Sequence, residues 1–349
     1  MTMRDEILEQ PAVVGHLLSS ARAALDGLLA RLDRKRPEYV VIAGRGTSDH
    51  AAVYAQYVLG VRNRLSVALA APSILSLYGV APDVSRALVI GISQSGASPD
   101  IVAVVQAARS QGAPTLAITN TPASPLAEAA EHLVDLGAGT ERSIAATKSY
   151  TAELVAVAML SAVLLDRDGR QDAFAELDVL PEAMTRVLDT EPDVQRIARA
   201  AAGMERCIVL GRGFEYATAR EWALKLKELS GVLADPYSTA DFEHGPKALV
   251  EPGFPVLAVA PAGVAGSADL RGLLVRLRTE HGARITVLSD DTATRALADE
   301  AVALPEDLPE WLAPIVSIVP AQLHAYHQTI ANGRDPESPQ HLSKVTLTR

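Results

Sequence analysis

Ile42-Ala43-Gly44-Arg45-Gly46-Thr47 is echoed 167 residues later by Val209-Leu210-Gly211-Arg212-Gly213-Phe214. In each copy an apolar, β-branched run leads into an arginine between two glycines, the pattern of a buried strand ending in a tight turn. At the same offset Gln94-Ser95-Gly96 falls on Pro261-Ala262-Gly263, so a second landmark keeps the register. Two landmarks in one register imply an internal duplication rather than a coincidence of Gly-Arg-Gly turns.

The neighbouring segments extend the pattern. Tyr39–Ala43, Ala87–Ile92 and Thr115–Thr119 read as buried strands, with helices expected over Asp49–Leu59 and Pro99–Arg109. Cys207–Leu210, Val256–Ala260 and Ile285–Leu288 match them in the second copy, with helices expected over Glu215–Gly231 and Ser267–His281. Strands alternating with helices of this length imply βαβ units and parallel sheets, an α/β fold. Residues 1–38 read as one helical pattern and 166–202 as a helical connector. The expected division is 1–185, an N-terminal helix plus the first copy, and 186–349, the second copy plus a C-terminal tail.

Composition narrows the function. The 349 residues are 48% hydrophobic and 21% charged, ordinary globular usage, and enough to bury a core without staples. One cysteine, Cys207, rules out a disulfide framework or a cysteine-based zinc site within the chain and suits a reducing cytoplasm. A net charge of −10 and a pI near 5.3 lack the basic footprint of a nucleic-acid binder. Residues 1–11 show no apolar core of a signal peptide, so none is expected. The apolar run Leu154–Leu165 is shorter than the roughly 20 residues of a membrane span. It is expected to be a helix buried in a core or in a subunit interface.

The loop Ser93-Gln94-Ser95-Gly96-Ala97-Ser98 follows a strand and precedes a helix opening at Pro99, whose fixed φ suits a first turn. Amides at such a helix start lack partners and favour an anion, and hydroxyls add donors without charge. The same residues also suit a plain capped turn, with Ser98 as cap and Asp100 in the first turn. Gly46-Thr47-Ser48 could add hydroxyls to the same rim. Only the first copy carries hydroxyls here, since Ser93, Ser95 and Ser98 fall on Ala260, Ala262 and Ala265. There is no P-loop, and Gly44-Arg45-Gly46 continues to Asp49 where a dinucleotide fingerprint needs its third glycine, so nucleotide hydrolysis and hydride transfer lose support.

In Glu221-Trp222-Ala223-Leu224-Lys225-Leu226-Lys227-Glu228, Trp222, Leu226, Leu229 and Leu233 fall on one apolar helical stripe, with Glu221, Lys225 and Glu228 beside it. The pattern favours a solvated face with a Glu221–Lys225 pair worth roughly 0.2–0.5 kcal/mol. His244, followed by Gly245-Pro246, belongs on a turn, either as a proton shuttle or as an ordinary loop histidine. Lys344, near the C-terminus, reads as a tail lysine.

Taken in order, Gly46-Thr47-Ser48, Ser93-Gln94-Ser95-Gly96, Ala138-Gly139-Thr140-Glu141, Ala223–Glu228, His244-Gly245-Pro246 and the tail around Lys344 resemble the isomerase half of glucosamine-6-phosphate synthase. That half is a pair of sugar-isomerase (SIS) domains, and the resemblance runs over essentially the whole chain. Ala219-Arg220-Glu221-Trp222 is similar to stand-alone SIS-type glucosamine-6-phosphate deaminases. The resemblance implies two tandem SIS domains, each a doubly wound, flavodoxin-like parallel sheet flanked by helices.

It also implies roles. Thr47, Ser48, Ser93, Gln94, Ser95 and Ser98 would hold a sugar phosphate, and Gly46, Ile144 and Ala145 would meet the sugar. Glu228 would move a proton between C1 and C2, Lys225 would support it, His244 would assist ring opening, and Lys344 would lie near the carbonyl end. Ala146 before Thr147-Lys148 departs from the synthases' serine, which puts one sugar-hydroxyl contact in doubt. The chain begins Met1-Thr2-Met3-Arg4 rather than with the synthase's nucleophilic cysteine, so ammonia release from glutamine is not expected.

The expected activity is therefore an isomerising deaminase that converts glucosamine 6-phosphate to fructose 6-phosphate and ammonia. The alternatives are a SIS isomerase, deaminase or deglycase on another amino-sugar or ketose phosphate, and a non-catalytic phosphosugar sensor. No metal or other cofactor, no nucleic acid and no membrane is implied. A cytoplasmic homodimer with a shared active site is expected.

Overall fold

The computed structural model describes residues 2–34, 36–263 and 266–344. The chain divides into two compact units. The N-terminal unit is built on Glu9–Glu141 and Ala146–Pro181, and the C-terminal unit on Glu182–Leu342; Arg142–Ala145 belongs with the latter.

The N-terminal unit holds one parallel sheet of β1 (Tyr39–Ala43), β2 (Ser66–Leu69), β3 (Ala87–Ile92), β4 (Thr115–Thr119) and β5 (His132–Asp135), in the order β2-β1-β3-β4-β5. The C-terminal unit repeats this with β6 (Arg206–Gly211), β7 (Leu233–Ser238), β8 (Pro255–Val259), β9 (Arg284–Ser289) and β10 (Glu300–Ala303), in the order β10-β9-β8-β6-β7. Read from the other edge the two orders are the same, and Tyr39 to Arg206 and Ser66 to Leu233 each keep the 167-residue offset. The duplication is therefore one of topology as well as of motif. A parallel sheet whose order reverses beside its first strand opens a crevice at the carboxyl ends of the strands.

The six strands read from the sequence lie within a residue of their observed bounds. They are central strands, covered on both faces, and therefore near-continuous apolar runs. The four strands that the sequence did not yield are the sheet edges, where β2, β5 and β10 carry partly exposed polar residues.

Glycine shapes both Gly-Arg-Gly turns. A Cβ on Gly44 would lie 2.8 Å from the Ser48 carbonyl oxygen, and one on Gly211 would strike the Glu215 carbonyl. Gly46 and Gly213 follow at φ +55° and +59°, a conformation that costs glycine little. The chain can thus leave the strand and enter the Thr47–Asn63 or Glu215–Lys225 helix without a gap.

Several expectations change or narrow. Residues 1–38 form three helices, Met3–Leu8, Gln10–Ser20 and Arg22–Leu32, rather than one. The apolar run lies in the Lys148–Val163 helix, of which every residue is buried. Its neighbours include Gln10–Ser20, Arg22–Leu32, Thr47–Asn63 and Arg167–Leu177, so this helix belongs to the core of its own unit and is no argument for a dimer. Full burial of a Val or Leu is worth roughly 1.5–3 kcal/mol, which outweighs any surface ion pair and fixes where this helix lies. The helix expected over Glu215–Gly231 runs as an α-helix only to Lys225, then widens into a π turn over Leu226–Ser230. Leu233 leaves the proposed apolar stripe altogether, because it starts β7 and is exposed. Among the described residues no helix is long and apolar enough to cross a membrane.

Candidate active site

In the N-terminal unit β1 and β3 pair in parallel, with Ala43 opposite Gly91, so the turns that follow them open on one edge of the sheet. After β3 the chain makes a tight turn. The Ser93 amide donates to the Ile118 carbonyl, and the Gly96 amide returns to the carbonyl and hydroxyl of Ser93, both at 3.2 Å. Gly96 has φ +61°, and a Cβ there would collide with Ser124. The loop is braced from behind by the Asn120 amide on the Gln94 carbonyl and the Leu126 amide on the Gly96 carbonyl.

Ser98 occupies the N-cap position of the Pro99–Ser110 helix, but its hydroxyl makes no capping bond. The plain-cap reading of Ser98 therefore fails. Among the described residues there is no acceptor for the Ser95 and Ser98 amides, which together with the helix start form an anion-favouring edge.

From β1, Thr47 opens the Thr47–Asn63 helix half-buried, and Gly46 before it is exposed. Ser48 is committed elsewhere, since its hydroxyl donates to the buried Glu153 at 2.8 Å. One rim residue went unassigned in the sequence. Arg45 places Nε at 2.9 Å and Nη2 at 2.8 Å from Oδ2 of Asp100, a buried carboxylate in the first turn after the serine loop. A Gly-Arg-Gly turn marks a backbone bend, and nothing local pairs it with an aspartate 55 residues on.

Lys344 reaches Glu141 at 3.0 Å. Glu141 is fully buried, and also accepts the Thr147 and Ser149 amides and the Ser149 hydroxyl. Burial pushes its pKa up, but Lys344 and these hydrogen bonds outweigh it and hold the carboxyl below its ordinary value. Lys344 is thus an anchored residue and not a loose tail lysine. Ile144 is half-buried and Ala145 buried, in the stretch where the Arg142 amide is held by Glu6.

In the C-terminal unit the solvated-face reading of Glu221, Lys225 and Glu228 is overturned. Glu221 and Lys225 are buried, with Nζ of Lys225 3.3 Å from Glu221 and 2.6 Å from Glu228. Burial disfavours the ammonium, yet the two carboxylates raise the Lys225 pKa above the ordinary lysine value, so it stays charged. Glu228 lies on the π turn, and its side chain is 24% exposed. The widened turn thus leaves one carboxylate of a buried cluster open to solvent, and π turns recur at functional sites. Trp222 is buried in the same helix, its indole N–H on Nδ1 of His324 at 3.2 Å. His244 is exposed and ends the Thr239–Glu243 helix, on a turn as its sequence predicts.

The matching edge of this unit is built differently. The Ala260 amide donates to the Leu288 carbonyl, as Ser93 does to Ile118, and Gly263 repeats the positive φ of Gly96. Yet the Ala262 amide is taken by the carboxylate of Asp290. Ala265, the third matched position, lies outside the described residues. Glu215, equivalent to Ser48, is buried and accepts hydroxyls from Thr218 and, at 2.8 Å, from Ser317. Burial, helped by Asp290 and Glu310, pushes its pKa up to about 7 against the pull of those hydroxyls. Cys207 is buried in β6, and burial pushes its thiol up to about 12, so it offers no nucleophile. Among the described residues no cluster of His, Cys, Asp or Glu is placed to hold a metal.

Comparison with known proteins completes the picture. A glutamine–fructose-6-phosphate aminotransferase (isomerizing) from Pyrococcus horikoshii is 34% identical over 350 residues, covering 98% of this chain and 57% of that protein. The chain therefore spans a little over half the length of the curated relatives it matches. The C-terminal domain of the glucosamine-fructose-6-phosphate aminotransferase from Francisella tularensis superposes with a TM-score of 0.86 at 26% identity, covering 96% of this chain and 98% of that one. A protein from Silicibacter pomeroyi DSS-3, named as a candidate phosphosugar isomerase, gives 0.84 at 35% identity, covering 96% of this chain and all of that one. The SIS domain model matches residues 35–163 and again 202–332, one copy on each parallel sheet. The chain therefore belongs to the SIS domain family, of which it carries two copies.

Proposed function

We propose that the protein is a phosphosugar isomerase that deaminates, converting glucosamine 6-phosphate and water to fructose 6-phosphate and ammonia. The observation that carries this is Glu228, a carboxylate on a π turn, partly open to solvent and 2.6 Å from a buried, charged lysine. Moving a proton between adjacent carbons needs one carboxylate beside both, and Glu228 is held next to the buried Lys225 ammonium with an edge open to solvent.

In the proposed sequence His244 helps open the ring, and the loop 93–98, with Thr47, takes the phosphate, while the Ser48 hydroxyl stays on Glu153. Glu228 removes the proton from C2 of the open aldehyde and returns it to C1. The C2 amine thereby becomes an imine, which water hydrolyses to the C2 ketone and ammonia. Cys207 is buried with its thiol pushed up to about 12, so it is given no part in the reaction. His244 is exposed and could serve a second copy of the chain, so a homodimer is part of the proposal; light scattering at micromolar concentration that gives a monomer would remove it.

The test is incubation with glucosamine 6-phosphate and assay of both products. Wild type releases ammonia and fructose 6-phosphate in equal amounts. Glu228→Gln loses at least about a hundredfold in kcat, as for removal of a general base. No turnover by wild type, or full activity in Glu228→Gln, defeats the reading. The second reading keeps the chemistry and changes the sugar, and is favoured by the 35% identity to a protein named only as a candidate phosphosugar isomerase. A panel of phosphosugars separates the two.

A further inference from the structure

The loop 93–98 offers hydroxyls and amides but no positive charge, in a chain whose net charge is −10. A phosphomonoester is largely dianionic at neutral pH, with its second pKa at about 6. A cation is built into the turn after β1, Arg45. It leaves β1 on the strand edge shared with the serine loop and is tied by two N–H groups to one oxygen of Asp100. The other Asp100 oxygen accepts the Ile101 amide at 3.0 Å, and the carboxylate is almost wholly buried, so this anchor is fixed in the first helical turn after Ser98.

A guanidinium has five N–H donors in a rigid fork, and two of them are used here. Among the described residues the other three have no acceptor, and the Arg45 side chain is 48% exposed. An arginine held by its inner edge with its outer edge open is preorganised for a second anion, because its rotamer entropy has already been lost to Asp100.

Resting on the phosphate-loop reading above, we infer that Arg45 is the cation that binds the substrate phosphate and selects its dianion, with Asp100 as its positioning residue. The opposing view is that Arg45 only neutralises Asp100, whose bare charge would repel a phosphate.

Calorimetric titration of the full chain with fructose 6-phosphate at pH 5 and pH 8 separates these views. Arg45→Ala is expected to weaken binding about ten- to a hundredfold at pH 8, the scale of a charge-assisted hydrogen bond, with a smaller deficit at pH 5 where the ligand is a monoanion. Arg45→Lys recovers part of the loss. Arg45→Ala/Asp100→Asn, which removes the bare carboxylate as well, stays weak. Arg45→Gln repeats the measurement should the alanine variant unfold. Recovery of wild-type affinity in the double variant, or an equal deficit at both pH values, overturns the inference and leaves the loop reading intact if Ser95→Ala still weakens binding. No binding by wild type, or none of these variants mattering, overturns both.

Discussion

The turn after β3 and the turn after β8 are the same piece of backbone with opposite electrostatics. Both begin with an amide donated to the neighbouring strand, and both contain a glycine at positive φ, Gly96 and Gly263. In the first, serines line the turn and, among the described residues, no carboxylate accepts from its amides. In the second, Asp290 already lies on the Ala262 amide. A carboxylate supplied by the chain takes an amide of the turn that an incoming anion would need.

The helices that follow the Gly-Arg-Gly turns divide in the reverse sense. At the 167-residue offset, Glu221, Lys225 and Glu228 fall on Tyr54, Val58 and Val61. Both helices end alike, on a left-handed residue, Arg64 or Gly231, whose amide reaches back to Leu59 or Leu226. Apart from the π turn of the second helix the backbone path was kept, and the side chains were exchanged. One copy retained an anion-favouring turn with an ordinary apolar helix, and the other acquired a buried charge cluster beside a closed turn. Duplication separates tasks that a single copy would have to combine.

This comparison can be broken in four ways. The largest effect is expected for Lys225→Met, which strands Glu221 as a buried charge and costs about 3–5 kcal/mol. Val58→Ala at the matched position makes a small cavity and costs about 2 kcal/mol. Equal losses in urea titrations would mean that packing, not charge, holds the second helix.

Next is Glu215, whose pKa is about 7 folded and 4.5 unfolded. Its stabilising contribution is complete below pH 4.5 and is lost as pH rises through 7, by about 3 kcal/mol. Glu215→Gln should abolish that loss, seen as a higher urea midpoint at pH 8.5. An unchanged pH profile would show that Glu215 is ionised when folded.

Smaller is the effect of Ser95→Ala, expected to weaken phosphosugar binding by about 1 kcal/mol, one ordinary hydrogen bond. Ala262→Ser in the second turn should change nothing, and a gain of binding there would end the claim that Asp290 has closed it. Smallest is Asp290→Asn. It removes a charge that raises Glu215, so the pH midpoint of stability should move down slightly; an upward move would contradict the electrostatic account.

The sequence revealed the central strands because burial on both faces writes itself as unbroken apolar runs. It missed β2, β5, β7 and β10 because an edge strand such as Ser66–Leu69 alternates in exposure and resembles a loop. The Glu221–Lys225–Glu228 stripe was visible, but its burial was not. A charged helical face has the same spacing in water or in a core, and only the packing of Ala313–Ala331 and the sheet against Glu215–Lys225 decides between them. Arg45–Asp100 and Lys344–Glu141 join residues 55 and 203 positions apart, which no local pattern encodes.

Trp222, bonded to His324 inside the C-terminal unit, has an optical consequence. The chain has two tryptophans, Trp222 and Trp311, both buried and both in that unit. Indole emission is therefore blind to the sheet that carries the serine loop, while far-ultraviolet ellipticity sees the helices of both. Following the two signals through one denaturant titration resolves whether the copies melt together or in turn, without any label being added.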